Sequence, residues 1–334
     1  MIKKIKLSIL DQSIVRQGST AADAIQETID TVKLAEALGY NRFWVSEHHN
    51  ATSIAGSAPE LLMVKLADET KHIRIGSGGI MLPNHSAFKM AENFRLLETL
   101  FPNRIDMGMG RAPGGDRITA SLLNPSNTFS EESYLTQLAH LQHFFNDTAE
   151  TAHGALLAVP QATTIPQQWI LSSSGGSSKI AAEFGMGLVI ARFINGHAGS
   201  EVVDIYRKLF KPSIQFPLPQ AMLAISVICA ATEEHAVQLR KLMDYRLLQF
   251  EKGNFDKPGG YETVKDYTFS HLELEKIKYN NGRIISGTPE SVKDQLLQLA
   301  NDFNIDEIIV ATMTGTAAER KNSFELLAQE FKLS

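Results

Sequence analysis

The run Ile5-Lys6-Leu7-Ser8-Ile9-Leu10, followed directly by Asp11-Gln12-Ser13, decides how the rest of the chain is read. A short apolar-rich run that gives way at once to polar residues marks a β-strand. A doubly wound open sheet that binds a dinucleotide would place a glycine-rich turn here, and Asp11-Gln12-Ser13 is not one. Residues 20–38 then read as a helix. Ile25, Ile29, Val32, Ala35 and Leu38 fall on one face, and Gly39 stops it.

Outward from this first unit the alternation repeats. Strands are predicted at 5–10, 42–47, 73–79, 104–110, 169–173, 188–193, 222–230 and 307–311. Helices are predicted at 59–70, 87–100, 131–145, 177–184, 199–209, 233–250, 288–300 and 317–331. Pro59 opens the second helix, and Thr232 caps the seventh ahead of Glu233 and Glu234. Two segments break the pattern: 151–166, read as a small hairpin insertion, and the Lys-, Tyr- and Gly-bearing excursion 253–283. Eight strands, each followed by a helix, is the count of a closed parallel (β/α)8 TIM barrel with loop insertions. Such a barrel takes ~250 residues or more, so the 334 residues are expected to form one domain, 1–334.

Composition narrows the function classes. The chain is 43% apolar and 21% charged with net charge −5, ordinary for a globular protein. It has no long basic run and no basic–aromatic interleaving, which argues against a nucleic-acid partner. No stretch approaches the ~20 apolar residues that cross a membrane, and residues 1–10 lack a signal-peptide core. The single cysteine, Cys229, lies in the apolar run 223–231 and is expected to be a buried, inert thiol. A cytoplasmic protein is expected.

In a β/α barrel, chemistry sits past the C-terminal ends of the strands. Unusual residues collect there: Glu47-His48-His49-Asn50, Gly76-Ser77-Gly78-Gly79, Gly108-Met109-Gly110-Arg111 and Ser172-Ser173-Ser174-Gly175-Gly176-Ser177-Ser178. The serine–glycine loop combines backbone amides, hydroxyls and a helix N-terminus, the makings of an anion site; the plain alternative is a flexible turn with Ser177 capping the helix. Arg111 would pair with a phosphate or with carboxylates of the next loop. His48 and His49, being adjacent, point to opposite sides and do not readily share a metal ion, although Glu47, His85 and Asp106 stay open as distant ligands. An inward histidine would instead serve as an acid–base or hydrogen-bonding group. Gly78-Gly79 fits either close approach of a flat ligand or an ordinary turn. His85 reads as a helix-entry residue. Phe43, Met81, Met107, Met109 and Phe193 are expected around the pocket.

Taken together, these segments resemble the luciferase-like flavin monooxygenases. The resemblance is carried by Glu47-His48-His49, by Ile73 through His85, by Glu92-Asn93-Phe94-Arg95, by Arg104-Ile105-Asp106 through Gly110-Arg111-Ala112-Pro113-Gly114, and by Ser286-Gly287-Thr288-Pro289-Glu290. It implies that reduced FMN, supplied by a separate NAD(P)H-flavin reductase, binds at the barrel mouth and reacts with O2. One oxygen atom then enters a small organic substrate of apolar character. It implies a role for His48 near the flavin, and a cis Gly78–Gly79 peptide beneath the flavin ring. It further implies phosphate contacts from Arg111, Ser173, Ser174, Gly175 and Ser177, no metal, and a homodimer. The excursion 253–283 becomes a candidate lid. Two departures stand out: serines replace an acidic residue and a threonine in the phosphate loop, and Gly110 occupies the place of luciferase's reactive cysteine. Light emission is therefore not implied. The same fold also leaves open an F420-dependent hydride-transfer enzyme, a non-catalytic flavin carrier and, more remotely, a metal-dependent hydrolase.

Overall fold

The computed structural model describes residues 4–112, 114–254 and 256–333. In chain order the strands are β1 (Lys6–Asp11), β2 (Arg42–Val45), β3 (Arg74–Met81), β4 (Ile105–Gly110), the hairpin pair β5 (Glu150–Thr151) and β6 (Gly154–Ala155), then β7 (Gln167–Ser172), β8 (Gly187–Ala191), β9 (Ala221–Cys229), β10 (Ile284–Gly287) and β11 (Glu307–Ala311). The helices are α1 (Ala21–Ala37), α2 (Pro59–Asp68), α3 (Ala87–Leu100), α4 (Arg117–Leu123), α5 (Glu131–Phe145), α6 (Ser178–Glu183), α7 (Glu201–Leu209), α8 (Glu233–Glu251), α9 (His271–Asn280), α10 (Pro289–Asp302) and α11 (Ala317–Phe331).

Parallel pairing runs β1–β2–β3–β4–β7–β8–β9–β11, and β11 returns to β1, so eight strands close a TIM barrel. The helix ends follow local chemistry. Thr20 and Asp23 form a capping box on α1, and the Thr232 hydroxyl accepts the His235 N–H at the start of α8. The sequence did not anticipate β10. It lies beside the C-terminal half of β9, Ile284–Gly287 against Ser226–Cys229, where β8 has already ended. The excursion 253–283 also carries more order than its composition suggested, with α9 opened by a Ser270–Glu273 capping box.

In a barrel both strand faces are buried, so period alone does not say which face looks inward. Leu7, Ile9, Phe43, Ile75, Met107 and Met109 pack outward against the helices. Leu10, Trp44, Trp169, Val189, Met222 and Ile309 form the interior, with Leu171 and Phe193 against them. Phe43, Met107 and Met109 therefore do not line the mouth. Phe193 does join the interior cluster, while Met81 packs beside Gly110 and Gly114.

The N-terminal end of the barrel is closed by charge. Arg42 bridges Asp106 (2.7 Å) and Glu307 (2.9 Å), Arg74 reaches Asp106 at 2.6 Å, and Trp44 donates its indole N–H to Asp106. Asp106 is fully buried; burial pushes its carboxyl up, but the charges of Arg42 and Arg74 more than offset this and hold it low. Asp106, open as a distant metal ligand on sequence grounds, is thus committed to arginines at the floor.

Candidate active site

The predicted residues lie on four strands that are neighbours around the ring: β2, β3, β4 and β7. β2 stops at Val45, so Ser46 to Asn50 are free to turn over the mouth. The Ser46 hydroxyl lies 3.1 Å from His48 Nδ1, and His48 N–H donates to the Gly56 carbonyl at 2.9 Å. These two bonds fix the ring while its Nε2 takes no protein partner among the described residues. Burial lowers the His48 pKa; the charge of Glu47 partly opposes this and that of His49 adds to it. His48 is thereby kept neutral at physiological pH.

The organising group of this corner is Glu47, which the sequence left open only as a distant metal ligand. It is 0% exposed. It accepts the Met81 N–H (2.8 Å) and the Asn84 amide (3.0 Å), with His49 Nε2 at 2.8 Å and His85 Nε2 at 2.9 Å. Burial pushes the Glu47 carboxyl up, but bonds and charge from His85, then bonds from His49 and Asn84, win and hold it below its usual value. For His85 burial acts downward and Glu47 prevails, raising its pKa. His85 is therefore a carboxylate partner as well as an entry residue to α3. His48 and His49 do diverge, to Ser46 and Glu47. Among the described residues no group of three His, Cys, Asp or Glu side chains is arranged to hold a metal ion.

β3 continues through Gly78-Gly79 to Met81 and does not end there as its sequence suggested. The Gly78–Gly79 peptide is cis, and the register against β4 slips so that Gly78 faces Gly108 while Ile80 faces Met109. A Cβ on Gly78 would come 2.7 Å from Leu10 Cδ1, and one on Gly79 2.8 Å from the Gly108 carbonyl oxygen. With Gly108 and Gly110 opposite, this patch presents backbone where any side chain would intrude.

After β7 the chain turns at Gly175, whose φ of +83° suits glycine, and Gly175 N–H donates to the Ser172 hydroxyl at 3.0 Å. Ser177 stands at the start of α6 but its hydroxyl makes no capping bond. The hydroxyls of Ser173, Ser174 and Ser177 take no partner among the described residues, so the loop keeps its donors for something else. Arg111, on the adjacent β4 loop, pairs with Glu131 at 2.6 Å in an exposed bridge. Of its two foreseen partners, the carboxylate is the one in place. Pro113 of the Gly-Arg-Ala-Pro-Gly segment lies outside the described residues.

The glycines and the serine–glycine loop lie at the end of a closed parallel barrel where β/α-barrel enzymes carry their sites. Residues 5–304 match the family model of the luciferase-like monooxygenases. The chain is 45% identical to YwcH of Bacillus subtilis over 330 residues, covering 98% of this chain and 99% of that protein. It is 37% identical to the N-acetyl-S-alkylcysteine monooxygenase of the same organism, over 97% of each chain. Among solved structures, apo-MsnO8 superposes with a TM-score of 0.92 at 31% identity over 99% of both chains. Two more distant structures share the fold alone, each covering 98% of both this chain and its own or nearly so. They are an FMN complex of the oxygenating constituent of 3,6-diketocamphane monooxygenase from Pseudomonas putida (TM-score 0.70, 15% identity, 98% of that chain) and an F420-dependent secondary alcohol dehydrogenase (0.67, 12%, 99% of that chain). The chain belongs to the luciferase-like monooxygenase family. It is an oxidoreductase of the monooxygenase class.

Proposed function

We propose that the chain, acting as one domain 1–334, is the oxygenating component of a two-component system that uses reduced FMN and O2 on a small organic substrate. The observation that carries this reading is the placement, on β3 and after β7 with only β4 between them, of the Gly78-Gly79 pair and of the Ser173, Ser174 and Ser177 hydroxyls, which take no partner among the described residues. The glycine pair suits the flavin ring, and the loop with Gly175 suits a phosphate dianion. Arg111 would join it by leaving Glu131, an exposed pair worth at most about 1 kcal/mol. When bound, the flavin supplies the reaction with oxygen; the protein binds, orients and keeps water out. His48, neutral and held by Ser46, offers Nε2 to accept or return a proton there. A separate NAD(P)H-flavin reductase would furnish the reduced cofactor, and the cytoplasm is the setting that suits both. The proposed assembly is a homodimer.

The test is a titration of the protein with FMN and with F420, followed by turnover under labelled O2 with reduced FMN. Reduced FMN should bind in preference to F420, and one labelled oxygen atom should enter product. His48→Ala should lower turnover roughly a hundredfold with FMN affinity within about twofold of wild type. Preference for F420, or FMN binding without any oxygenated product, would overturn the proposal in favour of hydride transfer or simple flavin carriage.

A further inference from the structure

On the other side of the mouth, between the ends of β1 and β11, lies a narrow pocket whose enclosed volume is about 10 Å³, room for one water-sized atom such as a single carboxylate oxygen. Its base is Leu10 and Ala311, both interior residues, and its walls include Arg16, Arg246, Thr312 and Arg320. Leu10 is the same side chain that abuts Gly78. The pocket therefore opens beside the proposed flavin floor, opposite the serine loop.

Three guanidinium groups meet here, and their partners are unequal. Arg16 is bidentate to Glu27, and Arg320 reaches Asp11 (2.9 Å) and Glu27 (3.1 Å). Arg246 has no carboxylate in ion-pair contact among the described residues. It donates to two backbone carbonyls, Thr314 at 3.1 Å and Gly259. Glu319 acts on it only through space, its carboxylate being bonded to the Thr316 N–H at 2.9 Å with His235 at 3.7 Å. Three buried polar atoms at this place have no hydrogen-bond partner: Arg16 Nε, Arg246 Nε and Thr312 Oγ1. Burial, then repulsion from Arg16, brings Arg246 down to about 10. Leaving buried donors bare is costly, and an anion between two guanidiniums satisfies them and relieves their repulsion.

We propose that Arg246, with Arg16 and Thr312, binds the carboxylate of the substrate, so that the enzyme oxygenates an organic acid and not a neutral apolar molecule. The apolar base of the pocket leads the rest of that acid toward the glycine floor. The inference rests on the mouth being the oxygenation site, and it replaces the apolar substrate expected from sequence.

The full-length chain is titrated calorimetrically with hexanoate and 4-phenylbutyrate, each against its neutral amide, with and without FMN. The acids should bind roughly tenfold or more tighter than the amides, the worth of a charge-assisted contact. Arg246→Gln should bring acid and amide to within about twofold, and Thr312→Val should narrow the gap less. Equal affinity of acid and amide, or no binding of either acid at millimolar concentration, would overturn the proposal. So would a parallel loss for both in Arg246→Gln, since that marks a merely structural tie to Gly259. Loss of FMN affinity in that variant would assign the pocket to the cofactor's own anion and overturn it equally. Should Arg246→Gln not fold, Thr312→Val and the wild-type acid-to-amide ratio decide. Intact acid preference without FMN binding would sink the flavin reading and leave this one standing.

Discussion

At the scale of single residues, the Glu47–His85 pair is the feature with a measurable pH signature. His85 is raised in the fold, so its contribution is complete below its unfolded value of 6.5 and is lost as pH rises through the higher folded value. Glu47 is lowered, so its contribution is complete above 4.5 and is lost as pH falls through the lower folded value. The pair should stabilise most between pH 4.5 and 6.5. His48, lowered by burial, works the other way and subtracts stability as pH drops below 6.5. Urea denaturation across pH should therefore show an alkaline decline that flattens in His85→Gln; an unchanged decline would separate it from this pair. That Glu47 is a shared acceptor rather than a distant ligand was not legible, because its partners Met81, Asn84 and His85 lie on another β/α unit. His48, the serine loop and the glycine pair were legible because strand ends in a barrel are where polar and glycine residues are otherwise out of place.

At the scale of elements, β3 and β4 approach more closely than side chains permit. A Cβ on Gly108 would overlap the carbonyl oxygen of Ser77 and press on Leu171 and Trp44. Gly108→Ala should cost about 2 kcal/mol or more, since backbone must move to admit it; wild-type stability in urea would show that the strands yield. The β/α alternation itself was readable, because periods of 2 and 3.6 survive in the sequence. What was not readable has physical reasons. β10 is four residues long beside an Asn-Gly turn, too short to display a period. Every residue of β2 and β4 is buried, so burial did not separate the faces, and Phe43, Met107 and Met109 were assigned to the mouth though they face the helices.

At the scale of the whole molecule, α2 and α3 expose large apolar side chains on adjoining helices. Leu61 is 70% exposed, Leu96 49% and Leu100 51%. Apolar groups gathered on neighbouring helices are what a second subunit covers, and they support the proposed homodimer. Sedimentation should show a dimer that Leu61→Glu with Leu100→Glu converts to folded monomer, whereas a monomeric wild type would discard the proposal. Among the described residues no helix is long and apolar enough to cross a membrane.

The arginine–carboxylate stopper formed by Arg42, Asp106 and Glu307 carries a consequence for traffic. With that end sealed and the interior filled by Leu10, Trp44 and Trp169, nothing passes through the barrel. On the proposed function, cofactor, O2 and substrate would all have to come and go by the mouth at the strand ends. If the ring does lie on the Gly78-Gly79 side, a substrate seated over it would have to arrive after it and its product leave before it.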